Sequence, residues 1–144
     1  MSQENVERIR RFHERTYTHA DWPDSRESFL ANLHPDLIYH PRTDEPDPSP
    51  RVGRYAYERL IYGFVEALTE ITFDILELID AGDLVIASTV LHGRGSASGA
   101  EVNEPYVFVY KLRAGVIVEG WEYRTKQDAL EAVGLSEQDA HADS

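Results

Sequence analysis

The sequence predicts an α+β domain in which helices cover one face of a curved antiparallel sheet. Three observations predict it. Apolar residues recur at helical spacing in several segments before Thr69, β-branched and aromatic runs broken by turn residues take over after it, and helices precede strands instead of alternating with them.

The elements follow in order. Val6, Ile9, Phe12, Thr16 and Ala20 recur at threes and fours with Arg8, Arg11 and Arg15 opposite, which predicts an amphipathic helix ending before Trp22-Pro23. Asp24 with Glu27 reads as a capping box for a short second helix carrying Phe29, Leu30 and Leu33 and stopping at His34-Pro35. Leu37 to His40 is a short β-like run. From Pro41 to Gly53 the prolines at 41, 46, 48 and 50 exclude both helix and ladder, leaving a long acidic loop that is either a lid or a solvated connection. Tyr57, Leu60, Ile61, Phe64 and Leu68 predict a third helix over 54–68. Strands are predicted over 71–79, 84–92, 101–112 and 116–124, joined by Asp80-Ala81-Gly82-Asp83, by a glycine-rich segment 93–99 and by Arg113-Ala114-Gly115. Thr125 with Asp128 starts a last helix, and Gly134 stops it.

The chain has 144 residues and a mass of 16.4 kDa, which fits a single domain over 1–135 with a polar tail over 136–144. Its net charge of −12, concentrated in the second half, repels phosphate backbones, so nucleic acid is not an expected partner. With no cysteine there is no disulfide, thiolate nucleophile or Cys-ligated metal. The six histidines form neither an HxH nor an HExxH pattern, and no metal or cofactor is expected. The N-terminus lacks a signal-peptide pattern, and no apolar run approaches the ~20 residues of a membrane span. A cytoplasmic protein without membrane contact is the expectation.

The order of elements resembles the ketosteroid isomerase-like superfamily, also called SnoaL-like or nuclear transport factor two-like. The local phrases His34-Pro35-Asp36-Leu37-Ile38-Tyr39-His40-Pro41, Ile79-Asp80-Ala81-Gly82-Asp83-Leu84-Val85 and Ile117-Val118-Glu119-Gly120-Trp121-Glu122-Tyr123 carry the resemblance, which spans about residues 4–135. It implies a cone-shaped fold, a curved antiparallel sheet covered by three N-terminal helices with a short C-terminal helix, and a homodimer through the outer sheet face. It does not fix the reaction, because this fold hosts isomerases, cyclases, hydrolases, dehydratases and binding-only proteins.

Strand alternation groups Glu104, Tyr106 and Phe108 on one face, and separates Val118, Gly120 and Glu122 from Ile117, Glu119, Trp121 and Tyr123. The resemblance puts the first group, Gly120 and Glu122 inward, with Thr89 and Leu91; a one-residue slip would reverse every face. Against the limonene epoxide hydrolase-like pattern the matching positions are Thr89, Leu91 and Glu122, so two of three polar partners are missing. Against the ketosteroid isomerase-like pattern, His40, or Tyr39 after a slip, falls at the base, His13 or Tyr17 near one oxyanion donor, and Tyr106 near the other. The candidate catalytic residues are therefore His40, Tyr106 and Glu122. A buried Glu122 would have a raised pKa suited to proton abstraction; its other reading is a solvent-facing residue paired with Arg124 or Arg94. Arg94 at the cavity mouth could hold an anionic oxygen, and Trp121, next to Glu122, joins the ligand contacts. The acidic loop residues Asp44, Glu45 and Asp47 would disfavour anions at the entrance. The expected function is proton transfer on an apolar carbonyl compound by isomerisation, cyclisation or dehydration. The alternative is a non-catalytic domain that binds an apolar ligand or assembles as a dimer.

Overall fold

The structure is a computed structural model that describes residues 2–14 and 22–134. In chain order the elements are α1 (Ser2–His13), α2 (Trp22–Leu30), β1 (Leu33–His40), β2 (Arg51–Val52), α3 (Arg54–Ala67), β3 (Leu68–Ala81), β4 (Leu84–Gly95), β5 (Glu101–Arg113), β6 (Val116–Tyr123) and α4 (Lys126–Ala132). The strands form one curved sheet in the order β2-β1-β6-β5-β4-β3. Its long half is the expected antiparallel meander; β1 joins it parallel to β6. Helices α1 to α3 cover the inner face, and α4 packs on the outer one, so the α+β architecture expected from the sequence is the one adopted.

Alternation divides the core in two. Val85, Ala87 and Leu91 of β4 and Tyr106, Phe108 and Tyr110 of β5 point inward against Val6, Ile9 and Phe12 of α1, Phe29 of α2 and Tyr57 and Val65 of α3. Ile79, Ile86, Val107 and Val109 point outward beneath Ala129 and Leu130 of α4, with Trp121 and Tyr123 alongside. The Thr125 hydroxyl accepts the Asp128 backbone N–H at 3.0 Å, which fixes the start of α4 as its sequence suggests.

Several boundaries differ from expectation. Helix α2 begins at Trp22, before Asp24, and ends at Leu30, because Asn32 already offers its carbonyl to the Ile117 N–H of β6 at 2.9 Å. That tether starts β1 at Leu33 and carries the strand through His34-Pro35, with a register shift between Leu33 and Ile38 that accommodates the proline. The Pro-rich loop closes with a two-residue strand, β2, paired to Ile38 and Tyr39. Ile117 faces the inner core, not the outer face: the pairing slips between Lys111 and Leu112, leaving Val118 as an extra residue that flips the start of β6. Thr16, Tyr17, Ala20 and the tail 136–144 lie outside the described residues.

Gly120 of β6 is where two strands and an aromatic ring converge. A Cβ added there would lie 2.8 Å from Cδ1 and 3.0 Å from Cε1 of Tyr39, so only glycine lets that ring lie flat against β6. Substituting Gly120→Ala should destabilise the fold by about 1–3 kcal/mol through displacement of the Tyr39 ring; urea unfolding of the two proteins checks this, and equal midpoints would contradict it.

Candidate active site

The inner face and its helical cover enclose an aromatic cavity. Its sheet wall is the run Tyr106, Phe108 and Tyr110 at alternate positions of β5, with neighbouring ring centroids 5.8 and 5.6 Å apart and planes within 14° and 11°. The helical wall is Phe12, Phe29 and Tyr57, stacked at 5.7 and 5.8 Å. The volume open to the centre of a water molecule is about 30 Å³, room for one or two waters.

Into this apolar space β6 turns one carboxyl group. Glu122 is 6% exposed, opposite Phe108 in the β5–β6 ladder. The Tyr39 hydroxyl donates to its Oε2, and the Arg42 backbone N–H donates to its Oε1 at 3.1 Å. Burial pushes the carboxyl up to about 7, while these two hydrogen bonds and the Arg42 charge pull back toward the ionised form. Neither Arg124 nor Arg94 pairs with it. Arg124 reaches Asp44 at 2.7 Å, and Arg94 lies at the exposed edge, 3.6 Å from Glu70 and away from the cavity lining. Glu122 also borders a cleft on the other side of the sheet beside His40, Trp121 and Arg124.

Tyr39, not His40, is the β1 residue that meets Glu122. His40 points to the opposite side, where its Nε2 lies 2.8 Å from Glu119 and its ring stacks on Trp121 at 5.4 Å and 9°. His40 and Trp121 therefore face away from the cavity. Pairing β1 with β6 puts Tyr39 beside Gly120 and His40 beside Trp121, and alternation does the rest.

The other candidates divide. His13, buried at the end of α1, lines the cavity; its Nε2 lies 2.9 Å from the Tyr110 hydroxyl, and burial pushes its pKa down to about 3, leaving a neutral imidazole. Leu91, Tyr106 and Phe108 line the same space. Thr89 faces inward but spends its hydroxyl on the Tyr106 carbonyl at 2.8 Å. Glu104 stays 45% exposed at the rim, 3.8 Å from Arg42. Tyr17 lies outside the described residues.

Arg42 is the residue beside Glu122 that sequence reasoning missed. Its side chain is almost buried although it opens a Pro-rich loop. The guanidinium lies 4.3 Å from the centre of the Tyr106 ring, donates to the Pro105 carbonyl at 2.9 Å and grips Asp44 at 3.0 and 3.2 Å. Asp44 is held below the usual carboxylate range, chiefly by Arg124 and then by Arg42. The Tyr106 hydroxyl donates to Glu45 Oε1 at 3.0 Å, and burial raises the phenol well above its ordinary range, so it remains a donor. No group of three or more His, Asp or Glu side chains suited to a metal occurs among the described residues.

No curated protein matches this sequence. Solved structures match its fold. An NTF2-like protein of unknown function from Burkholderia pseudomallei K96243 superposes with a TM-score of 0.67 at 16% identity, over 89% of this chain and 95% of that one. A candidate SnoaL-like polyketide cyclase from Jannaschia sp. CCS1 gives 0.69 at 17%, over 90% of each chain. TerC, co-crystallised with polyporic acid, gives 0.66 at 17%, over 91% and 98%. At these identities the likeness is one of fold. The SnoaL-like domain family matches residues 9–120, most of the chain, from within α1 to Gly120 of β6, two residues short of Glu122. That match, over more than half of the chain, makes it a member of the SnoaL-like domain family.

Proposed function

We propose that this protein catalyses cofactor-independent proton transfer on an apolar carbonyl compound, with Glu122 as the proton carrier. The observation that carries the reading is a carboxyl group with a pKa pushed up to about 7, facing an otherwise aromatic cavity. Near neutral pH such a group is available both as base and as acid.

The chemistry balances without a redox partner. The Glu122 carboxylate takes a proton from the carbon next to the substrate carbonyl, the C–H electron pair becomes the C=C bond of an enolate, and the carbonyl π pair moves to oxygen. A phenol donor stabilises that oxygen, a role assigned here to Tyr106 of the cavity lining. The protonated Glu122 then returns its proton to a different carbon, which completes an isomerisation, or to a leaving hydroxyl, which completes a dehydration. Tyr39 and the Arg42 N–H act as positioning groups that orient the carboxyl. The candidate polyketide cyclase and the polyporic acid complex among the fold neighbours are consistent with a small organic substrate.

A second reading is binding without turnover; in either case the small cavity admits a ligand only if its cover moves. The two are separated by following the conversion of 3-cyclohexen-1-one to its conjugated isomer in the ultraviolet. Catalysis by Glu122 predicts that Glu122→Gln loses about 100-fold or more in kcat/KM, and that the wild-type profile rises with pH around a midpoint near 7 as the carboxyl ionises. Equal rates in both proteins would refute the assignment.

The homodimer through the outer sheet face belongs to the same proposal. Trp121 and Tyr123 lie half-buried there, beside the cluster under α4. Light scattering should report twice the 16.4 kDa chain mass; a monomer at about 100 μM would contradict it.

A further inference from the structure

The Tyr106 hydroxyl, the donor assigned above to the substrate oxygen, is already engaged. Its acceptor is Glu45, a half-buried carboxylate on the acidic loop. A short turn makes this possible: the Glu45 N–H returns to the Arg42 carbonyl at 3.1 Å, folding residues 42–45 back over the cavity end of β5. The turn is pinned at its start by the Arg42 guanidinium on the Tyr106 ring and the Pro105 carbonyl, and by Asp44 between Arg42 and Arg124.

We propose that the Glu45 carboxylate is a built-in place-holder, exchanged on the Tyr106 hydroxyl for an anionic oxygen of the ligand. The ligand class follows: an apolar body bearing a carboxylate, phenolate or enolate oxygen. This inference rests on the cavity reading given above and names the ligand group that reading left open.

Three points support exchange over a permanent contact. Asp44 is held by two guanidinium groups, whereas among the described residues the one side-chain hydrogen bond to Glu45 comes from Tyr106, so Glu45 can leave while the anchor at Arg42 and Asp44 stays. Glu45 is only half-buried, so its carboxylate can turn to solvent, where water and salt screen its charge from the newcomer. A phenol at the edge of an aromatic cavity needs an acceptor when no ligand is present, and Glu45 supplies it. A neutral ligand oxygen would have to compete against a charge-assisted hydrogen bond, which is the stronger kind.

The test is binding of 4-nitrophenolate at about pH 8.5, where the probe is ionised, read by its absorbance shift. Wild type, Glu45→Ala, Glu45→Gln, Tyr106→Phe and the double variant Glu45→Ala/Tyr106→Phe are compared after thermal melts confirm that each folds. Removing the internal competitor should tighten binding about five- to tenfold in Glu45→Ala and less in Glu45→Gln, which keeps an acceptor oxygen. The gain should vanish in the double variant. Equal affinities in wild type and Glu45→Ala, both weakened by Tyr106→Phe, would overturn the exchange and leave the cavity reading standing. A gain in Glu45→Ala that survives Tyr106→Phe would also overturn it. No binding by any protein would overturn both.

Discussion

The Glu122 carboxyl, held between the Tyr39 hydroxyl and the Arg42 backbone N–H, is the contact on which the rest of the site depends. Each partner arrives by a different structural route. Tyr39 comes from β1, which lies beside β6 only because the chain leaves α2 at Leu30 and is tied to Ile117 at once. Its ring fits because position 120 is glycine. The Arg42 N–H comes from the loop, and its side chain fastens that loop to Pro105 and Tyr106. Burial opposes ionisation, and the two hydrogen bonds reduce that penalty without cancelling it. The folded chain therefore keeps a proton that the unfolded chain gives up between about pH 4.5 and 7. Stability from this residue falls as pH rises through that window, by a total on the order of 3 kcal/mol. The aromatic packing around the cavity has to supply that much more.

The same logic separates the two buried titratable groups. His13 has lost its charge to burial and is neutral over the whole physiological range, so it serves the cavity as a hydrogen-bonding wall with Tyr110. Glu122 stays near its switching point because polar partners from β1 and the loop reach it. Beyond Glu122 the loop balances charge closely: Arg42 and Arg124 share Asp44, and Tyr106 holds Glu45. Part of the acidity that the sequence places on this loop is thus paired within the loop and its anchors.

Much of this was legible in the sequence wherever a period carried it. Alternation grouped Tyr106 with Phe108, and the family resemblance turned that face inward together with Leu91 and Glu122; the faces agree because β4 and β5 run without interruption beside each other. Helical spacing placed Phe12 and Tyr57, and Thr125 with Asp128 marked α4. What failed lies where the period breaks. Val118 is a bulge, so Ile117 turned inward against the alternation. Pro35 and a register shift interrupt β1, so nothing in the spacing distinguished Tyr39 from His40 as the inward residue. Arg42 and Glu45 act through contacts more than sixty residues away in the chain, from a segment whose prolines signal only a loop. Arg94 and Trp121 were drawn in by proximity in sequence to site residues, and strand geometry carries both away.

The central claim is that Glu122 exchanges its proton near neutral pH. Carbon-13 NMR of side-chain-labelled glutamate, titrated in wild type and in Glu122→Gln, tests it directly. One carboxyl resonance should titrate near pH 7 and be missing from the variant. If every glutamate of the wild type titrates below about pH 5, the carboxyl is an ordinary carboxylate and the account of the site fails.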